Sequence, residues 1–374
     1  MRTPTESSEY TVLNAVYRSF IFGRFLGLNH MKKCEKSYFA ASNTGDGFVN
    51  YYDLVFAPDE RIYILKGGPG TGKSYFLKEV GKAAEMRGLE HEKYYCSSDP
   101  DSLDGIRIPA LGIAFWDGTA PHTVDPRVPG AREEILNLGQ FWQGEKLREH
   151  RDTIMALSEK KSDVYAMALS MLSLAAECMR YRLSLLTPFV KRDKMDAAAG
   201  RFLAKYKPEK GRAVPRPMRT YGMKGERILP TFTEGAETVH KLSELYGVEY
   251  LYLQVLLHRA RAEGVGVEYS PHPLCPDLPE ALYFTDVHVL VSAMPGQTGR
   301  AVGTRRFLDS AVFARRGRLL RFLGKGMQEL TDAALLEFSE MRGYHFALEE
   351  IYGGAMDFAG KEAFTLRFLE ELFG

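Results

Sequence analysis

The sequence predicts an α/β fold made of two tandem halves, each a mostly parallel sheet flanked by helices and ending in a helical segment. Two observations carry this expectation. First, the apolar run at residues 62–65 leads into a glycine-rich stretch and then into helical spacing that stops at Gly88, a strand–loop–helix unit of the kind that builds parallel sheets. Second, the chain matches itself. An offset of 176 residues carries Gly88 onto Gly264, Ala84 onto Ala260, Glu92 onto Glu268, and Pro100-Asp101 onto Pro276-Asp277.

Taken in order, residues 1–30 read as an N-terminal extension. Early acidic residues, Arg18 and Arg24 within the apolar part, and no small-residue cleavage site make a poor signal peptide, and Met31 is a second candidate start. Residues 31–206 form the first half. The 374 residues, 45% of them hydrophobic, suffice for two or three cores. Lys and Arg total 49 against 48 Asp and Glu, so no global field draws the chain to nucleic acid, which is not favoured as a partner. Cys34, Cys96, Cys178 and Cys275 lie far apart without a CxxC pair, which argues against a disulfide framework or structural zinc and fits a cytoplasmic protein. The most apolar helical stretch, residues 164–176, is shorter than the roughly 20 residues a membrane span needs.

The chemistry is concentrated in GGPGTGKS. Gly67, Gly72, Lys73 and Ser74 satisfy G-x-x-x-x-G-K-[ST], with Gly68, Pro69, Gly70 and Thr71 between and Tyr75 opening the helix. Such a loop turns its backbone N–H groups inward, and the helix start adds about half a positive charge, which together suit a polyphosphate. Lys73 would reach the outer phosphates of ATP and the Ser74 hydroxyl would hold Mg²⁺. A second metal ligand is expected from Asp117, at the end of the buried run 111–116; Asp286, ending ALYFTD, is a competitor. No Glu follows Asp117, which removes the adjacent catalytic acid of many motor ATPases. Asp99, Asp101 and Asp104 fall in a loop after an aromatic strand, where one of them could orient water or take a proton, and His122 or Arg127 could meet phosphate charge.

Residues 207–227, rich in Pro, Gly and cations, read as a linker, and 228–374 as a degenerate second half. At the offset of 176, Gly72 falls on Val248, Lys73 on Glu249, Ser74 on Tyr250 and Asp117 on Ala293. A carboxylate in place of the ammonium would repel a polyphosphate, so one nucleotide site is expected. Further on, an offset of 172 aligns Leu136 with Leu308 and Phe141 with Phe313. The cations Arg305, Arg306, Arg315, Arg316, Arg318 and Arg321 read as a solvated helix face, although an arginine reaching from the second half into the first could supply charge in cis.

SYFAASNTGDGFVNYYD, RIYILKGGPGTGKS, CSSDPDSLDG and GIAFWDGTAPH, in this order, resemble a bacterial family of P-loop ATPases built from two tandem halves, within the P-loop NTPase superfamily. The resemblance runs from about Met31 to the C-terminus and implies ATP binding at Gly67 to Ser74. In that family the second half often has its own phosphate loop, and here it has none. The expected function is Mg²⁺-dependent ATP hydrolysis, with Lys73, Asp117 and a carboxylate among Asp99, Asp101 and Asp104 in catalytic roles. Phosphotransfer to a small molecule or nucleotide is the alternative, and a nucleotide-gated binding module for a protein partner is a further one.

Overall fold

The apolar run that ends in the glycine-rich stretch is a central strand with apolar cores on both of its faces. A computed structural model describes residues 35–120 and 123–374, so the N-terminal extension, Met31 and His122 lie outside the described residues. The chain proceeds through β1 (Glu35–Phe39), the hairpin β2 (Ala41–Thr44) and β3 (Gly47–Asn50), and the short helix α1 (Tyr52–Val55). Then come β4 (Arg61–Lys66), α2 (Lys73–Met86), β5 (His91–Tyr95), β6 (Leu103–Ile108), β7 (Ile113–Asp117) and β8 (Glu133–Asn137). Three helices follow: α3 (Gly144–Glu149), the 36-residue α4 (Arg151–Leu186) and α5 (Arg192–Tyr206).

These strands form one sheet in the order β1-β5-β6-β7-β4-β8, in which only β6 runs antiparallel to its neighbours. Strand alternation divides β4 between two cores. Tyr63 and Leu65 meet Phe76, Leu77 and Val80 of α2, whereas Ile62 and Ile64 join Tyr52, Phe56 and Trp116 on the opposite face.

The remainder of the chain repeats the pattern. It contains β9 (Ala213–Pro215), the hairpin β10 (Arg219–Gly222) and β11 (Gly225–Ile228), α6 (Thr231–Gly235), β12 (Thr238–Leu242), α7 (Val248–Ala262), β13 (Val267–Pro271), β14 (Pro279–Phe284), β15 (Val289–Ser292) and β16 (Arg300–Val302). The 44-residue α8 (Ala311–Gly354) and α9 (Phe358–Phe373) close it. The second sheet has the order β9-β13-β14-β15-β12-β16, with only β14 antiparallel to its neighbours. Even the irregularities match, since β5–β6 slips register after Tyr94 and β13–β14 slips after Ser270. The chain is therefore α/β, with two mostly parallel six-stranded sheets flanked by helices. No helix of the described residues is long and apolar enough to cross a membrane.

Two expectations need correction. Residues 207–227, expected as a linker, carry regular structure from Ala213 onward. They supply an edge strand and a hairpin, and Arg216 and Arg219 are buried there because each meets carboxylates, so a cation-rich composition misread as solvated is in fact neutralised inside. The offset of 172 is also wrong. Phe141 O accepts from Asp357 N–H and Phe307 O from Lys191 N–H, which aligns Phe141 with Phe307 at an offset of 166; apolar helical spacing slipped onto the wrong turn.

The two sheets are bound by an exchange of helices. α4 and α8 pack antiparallel, with Lys161 against His345, Tyr165 against Phe338 and Arg182 against Gly324. Beyond them α9 packs on α2 and α5 packs on α7. Each crossing is fastened by the same backbone bonds: Asp357 N–H donates to Phe141 O (2.9 Å) and Gln143 N–H to Ala355 O (2.7 Å), while Lys191 N–H donates to Phe307 O (2.8 Å) and Asp309 N–H to Phe189 O (2.9 Å).

At the seam of the sheets Arg216 bridges Glu92 of β5 (3.0 Å) and Glu268 of β13 (3.3 Å), lies 4.5 Å from the Tyr38 ring centre, and donates to the Tyr94 hydroxyl. A buried carboxylate stripped of its partner is costly. Arg216→Met is expected to lower stability by about 3 kcal/mol in urea unfolding, a loss that a solvated linker arginine would not produce.

Candidate functional site

β4 delivers the chain at Lys66 and α2 takes it up at Lys73, leaving the loop 67–72 at the carboxyl end of the sheet. Gly70 (φ +68°) and Gly72 (φ +78°) occupy the left-handed region, where a side chain is strained. Space also matters at Gly70, where a Cβ would stand 2.5 Å from the Glu349 carbonyl oxygen. Thr71 Oγ1 donates to Gly68 O at 2.9 Å and holds the turn from within.

Lys73 folds back over the loop. Its ammonium donates to Gly67 O and Gly68 O, both at 2.8 Å, and stands 3.7 Å from Asp117 Oδ2. Ser74 Oγ accepts from Leu103 N–H at 3.0 Å. Asp117 arrives as expected, at the end of β7 and opposite Leu65 in the ladder. Thr119 caps its Oδ1 through both N–H (3.0 Å) and hydroxyl (2.5 Å). Burial pushes the Asp117 carboxyl above its ordinary value and the neighbouring Asp104 adds to this, while Lys73 and Thr119 oppose it. Lys73, Ser74, Asp117 and Asp104 are thus brought together.

The other candidates are placed differently. Asp99 and Asp101 are held by Lys224, at 2.7 and 2.6 Å, and the ammonium with Ser102 keeps the Asp99 carboxyl below its ordinary value despite burial. Asp286 accepts from Glu209 N–H far along the chain and plays no part at the loop. Arg127 pairs with Asp53 at 2.7 Å, beside a cleft of about 280 Å³ on the Ile62–Ile64 face of the sheet. Among the described residues no cluster of three or more His, Cys, Asp or Glu side chains could hold a metal by itself. A hydroxyl and a carboxylate beside the glycine loop are nevertheless hard oxygen donors of the kind that suit Mg²⁺.

Several residues at the loop carried no signal in the sequence. The α8 backbone at Glu349 seats against Gly70, and Tyr352 packs with Trp142 against Gly68. His345 lies 3.3 Å from the Lys161 ammonium and 3.5 Å from Glu349. From α9, the Lys361 ammonium stands where a methyl on Gly72 would be only 2.6 Å away. All but Trp142 come from helices whose spacing reads simply as amphipathic, and only the exchange of helices brings them here.

The corresponding turn of the second sheet, residues 243–247, is built differently from expectation. Gly247 (φ +102°), not Val248, takes the helix-initiating left-handed position held by Gly72. Glu249 is buried, and its carboxylate accepts from Leu245 N–H (2.8 Å) and Gly247 N–H (3.2 Å). An acid of the chain itself thus occupies the backbone donors of that turn.

Burial raises the Glu249 carboxyl to about 7, with its backbone hydrogen bonds opposing. The folded chain then keeps a proton that the unfolded chain has lost, so this group's stabilising contribution is full below about pH 4.5 and disappears as pH rises to about 7. Glu249→Gln is expected to remove that slope, gaining about 1–3 kcal/mol on wild type between pH 5 and pH 8 in urea unfolding. No family model, no curated protein and no solved structure matches this chain.

Proposed function

We propose that residues 67–74 cradle the phosphates of ATP, that Ser74 and Asp117 hold the accompanying Mg²⁺, and that the chain is an ATPase with one nucleotide site. The observation that carries this reading is the convergence of Lys73, Ser74 and Asp117 at the start of α2, beside a loop whose left-handed glycines expose its backbone N–H groups. Lys73 donates to the carbonyls of Gly67 and Gly68, and a polyphosphate would offer it stronger, charge-assisted partners. Mg²⁺, when bound, would neutralise phosphate charge. We assign to Asp104, the carboxylate that acts on Asp117, the orienting of a water or the taking of a proton, while Asp99 and Asp101 pair with Lys224.

The shared strand order, the matched register slips and the paired crossings support a tandem duplication in which the second loop has lost its phosphate role. Glu249 supports the loss, since a phosphate would have to displace a buried carboxylate from the same donors. A second reading, phosphotransfer to an acceptor hydroxyl, is favoured by Gly118 and Thr119 standing where a motor ATPase has its catalytic acid.

Calorimetric titration with Mg-ATP is expected to give one site per chain. At a hundredfold excess over Kd it should add about 2.7 kcal/mol of stability. Lys73→Ala should abolish both effects, and binding that survives this substitution would overturn the site. Phosphate release without an acceptor selects hydrolysis, whereas release only with a nucleoside or metabolite acceptor selects phosphotransfer.

A further inference from the structure

Lys361 is a buried lysine. It is 3% exposed, lies on the first turns of α9, and makes no ion pair among the described residues. Its neighbours are aromatic, with the Tyr75 ring centre 4.3 Å and the Phe358 ring centre 5.7 Å from Nζ. On its remaining side is the loop: a methyl on Gly72 would come within 2.6 Å of Nζ and 3.4 Å of Cδ. A cation brought out of water toward the N-terminus of a 14-residue helix meets the positive end of the helix dipole, an arrangement that costs stability unless an anion joins it.

The second sheet supplies a control within the same molecule. α5 packs on α7 as α9 packs on α2, and the crossings that fasten them fall at an offset of 166. That offset lays Arg201-Phe202-Leu203 on Arg367-Phe368-Leu369, and it lays Met195 on Lys361. Met195 is fully buried in the core that covers α7. The offset thus sets an ammonium at the glycine loop of the first sheet against an apolar side chain of similar length in the core of the second.

We propose that Lys361 is a phosphate-binding residue of the nucleotide site, supplied in cis by the last helix of the second half, so that the site is complete only when α9 is docked on α2. This rests on the reading of residues 67–74 as an ATP loop. The cis charge that an arginine of the second half could have supplied thus comes from a lysine on a helix without a basic cluster. Burial holds the Lys361 ammonium below the ordinary lysine value, with Glu362 and Glu79 opposing, which is the state of a cation waiting for charge compensation.

The test compares wild type, Lys361→Met, Lys361→Arg and Lys73→Ala by calorimetric titration with Mg-ATP and by melting without ligand. Lys361→Met, which installs the residue found at the matching place in α5, should weaken Mg-ATP binding about ten- to a hundredfold. It should also raise the unliganded melting temperature, because a methionine on the same aromatic rings carries no buried charge. Lys361→Arg should keep most of the affinity. A Lys361→Met chain that binds as wild type while Lys73→Ala does not would overturn the role of Lys361 and leave the loop reading intact. A Lys361→Met chain that melts lower and binds as wild type would make Lys361 a packing residue. Failure of wild type to bind Mg-ATP would overturn both.

Discussion

The structure depends on the exchange of C-terminal helices between its two sheets. Each sheet presents a turn and a following helix that are apolar on one side, and in each case the covering helix belongs to the other part of the chain. Phe364 and Phe368 of α9 complete the core against Tyr63, Phe76 and Phe115, and Leu203 of α5 does the same for α7. Neither sheet can bury its helix alone, so residues 35–374 pack as one unit rather than as two domains joined at residue 206. Antiparallel packing of α4 on α8 makes the exchange geometrically possible, because it carries each chain segment from its own sheet to the other's loop.

Much of this architecture was legible in local pattern. The strand–loop–helix at β4, the strand that delivers Asp117, and the offset of 176 through β5, β6 and β7 all depend on short-range spacing, and the ladders reproduce them. Residues 207–227 were misread because Pro, Gly and cations signal solvent only if the cations are exposed, and, apart from Glu226, the carboxylates that meet Arg216 and Arg219 lie on distant strands. The helical segments were misaligned for a different reason. Amphipathic spacing repeats every turn, so several offsets place apolar residues on apolar residues, and only the backbone crossings choose among them.

At the candidate site the division is similar. Lys73, Ser74 and Asp117 sit at positions that the glycine pattern and the strand end specify locally. The partners of Asp99 and Asp101, the roof formed by Glu349 and Tyr352, and the ammonium of Lys361 are products of tertiary structure. Gly247 shows the reverse error: counting along α7 loses the glycine, whereas the left-handed turn that begins the helix keeps it.

The carboxylate of Glu249 has a mechanical meaning for the long helices. α4 ends against the turn that Glu249 fills, where Leu183 touches Gly247, and α8 ends against the glycine loop at Gly68 and Gly70. The helix pair is thus mounted on two similar turns, one of them filled by the chain's own acid. Under the proposed reading phosphate fills the other, and any strain this produces is directed along α8 away from the glycine loop.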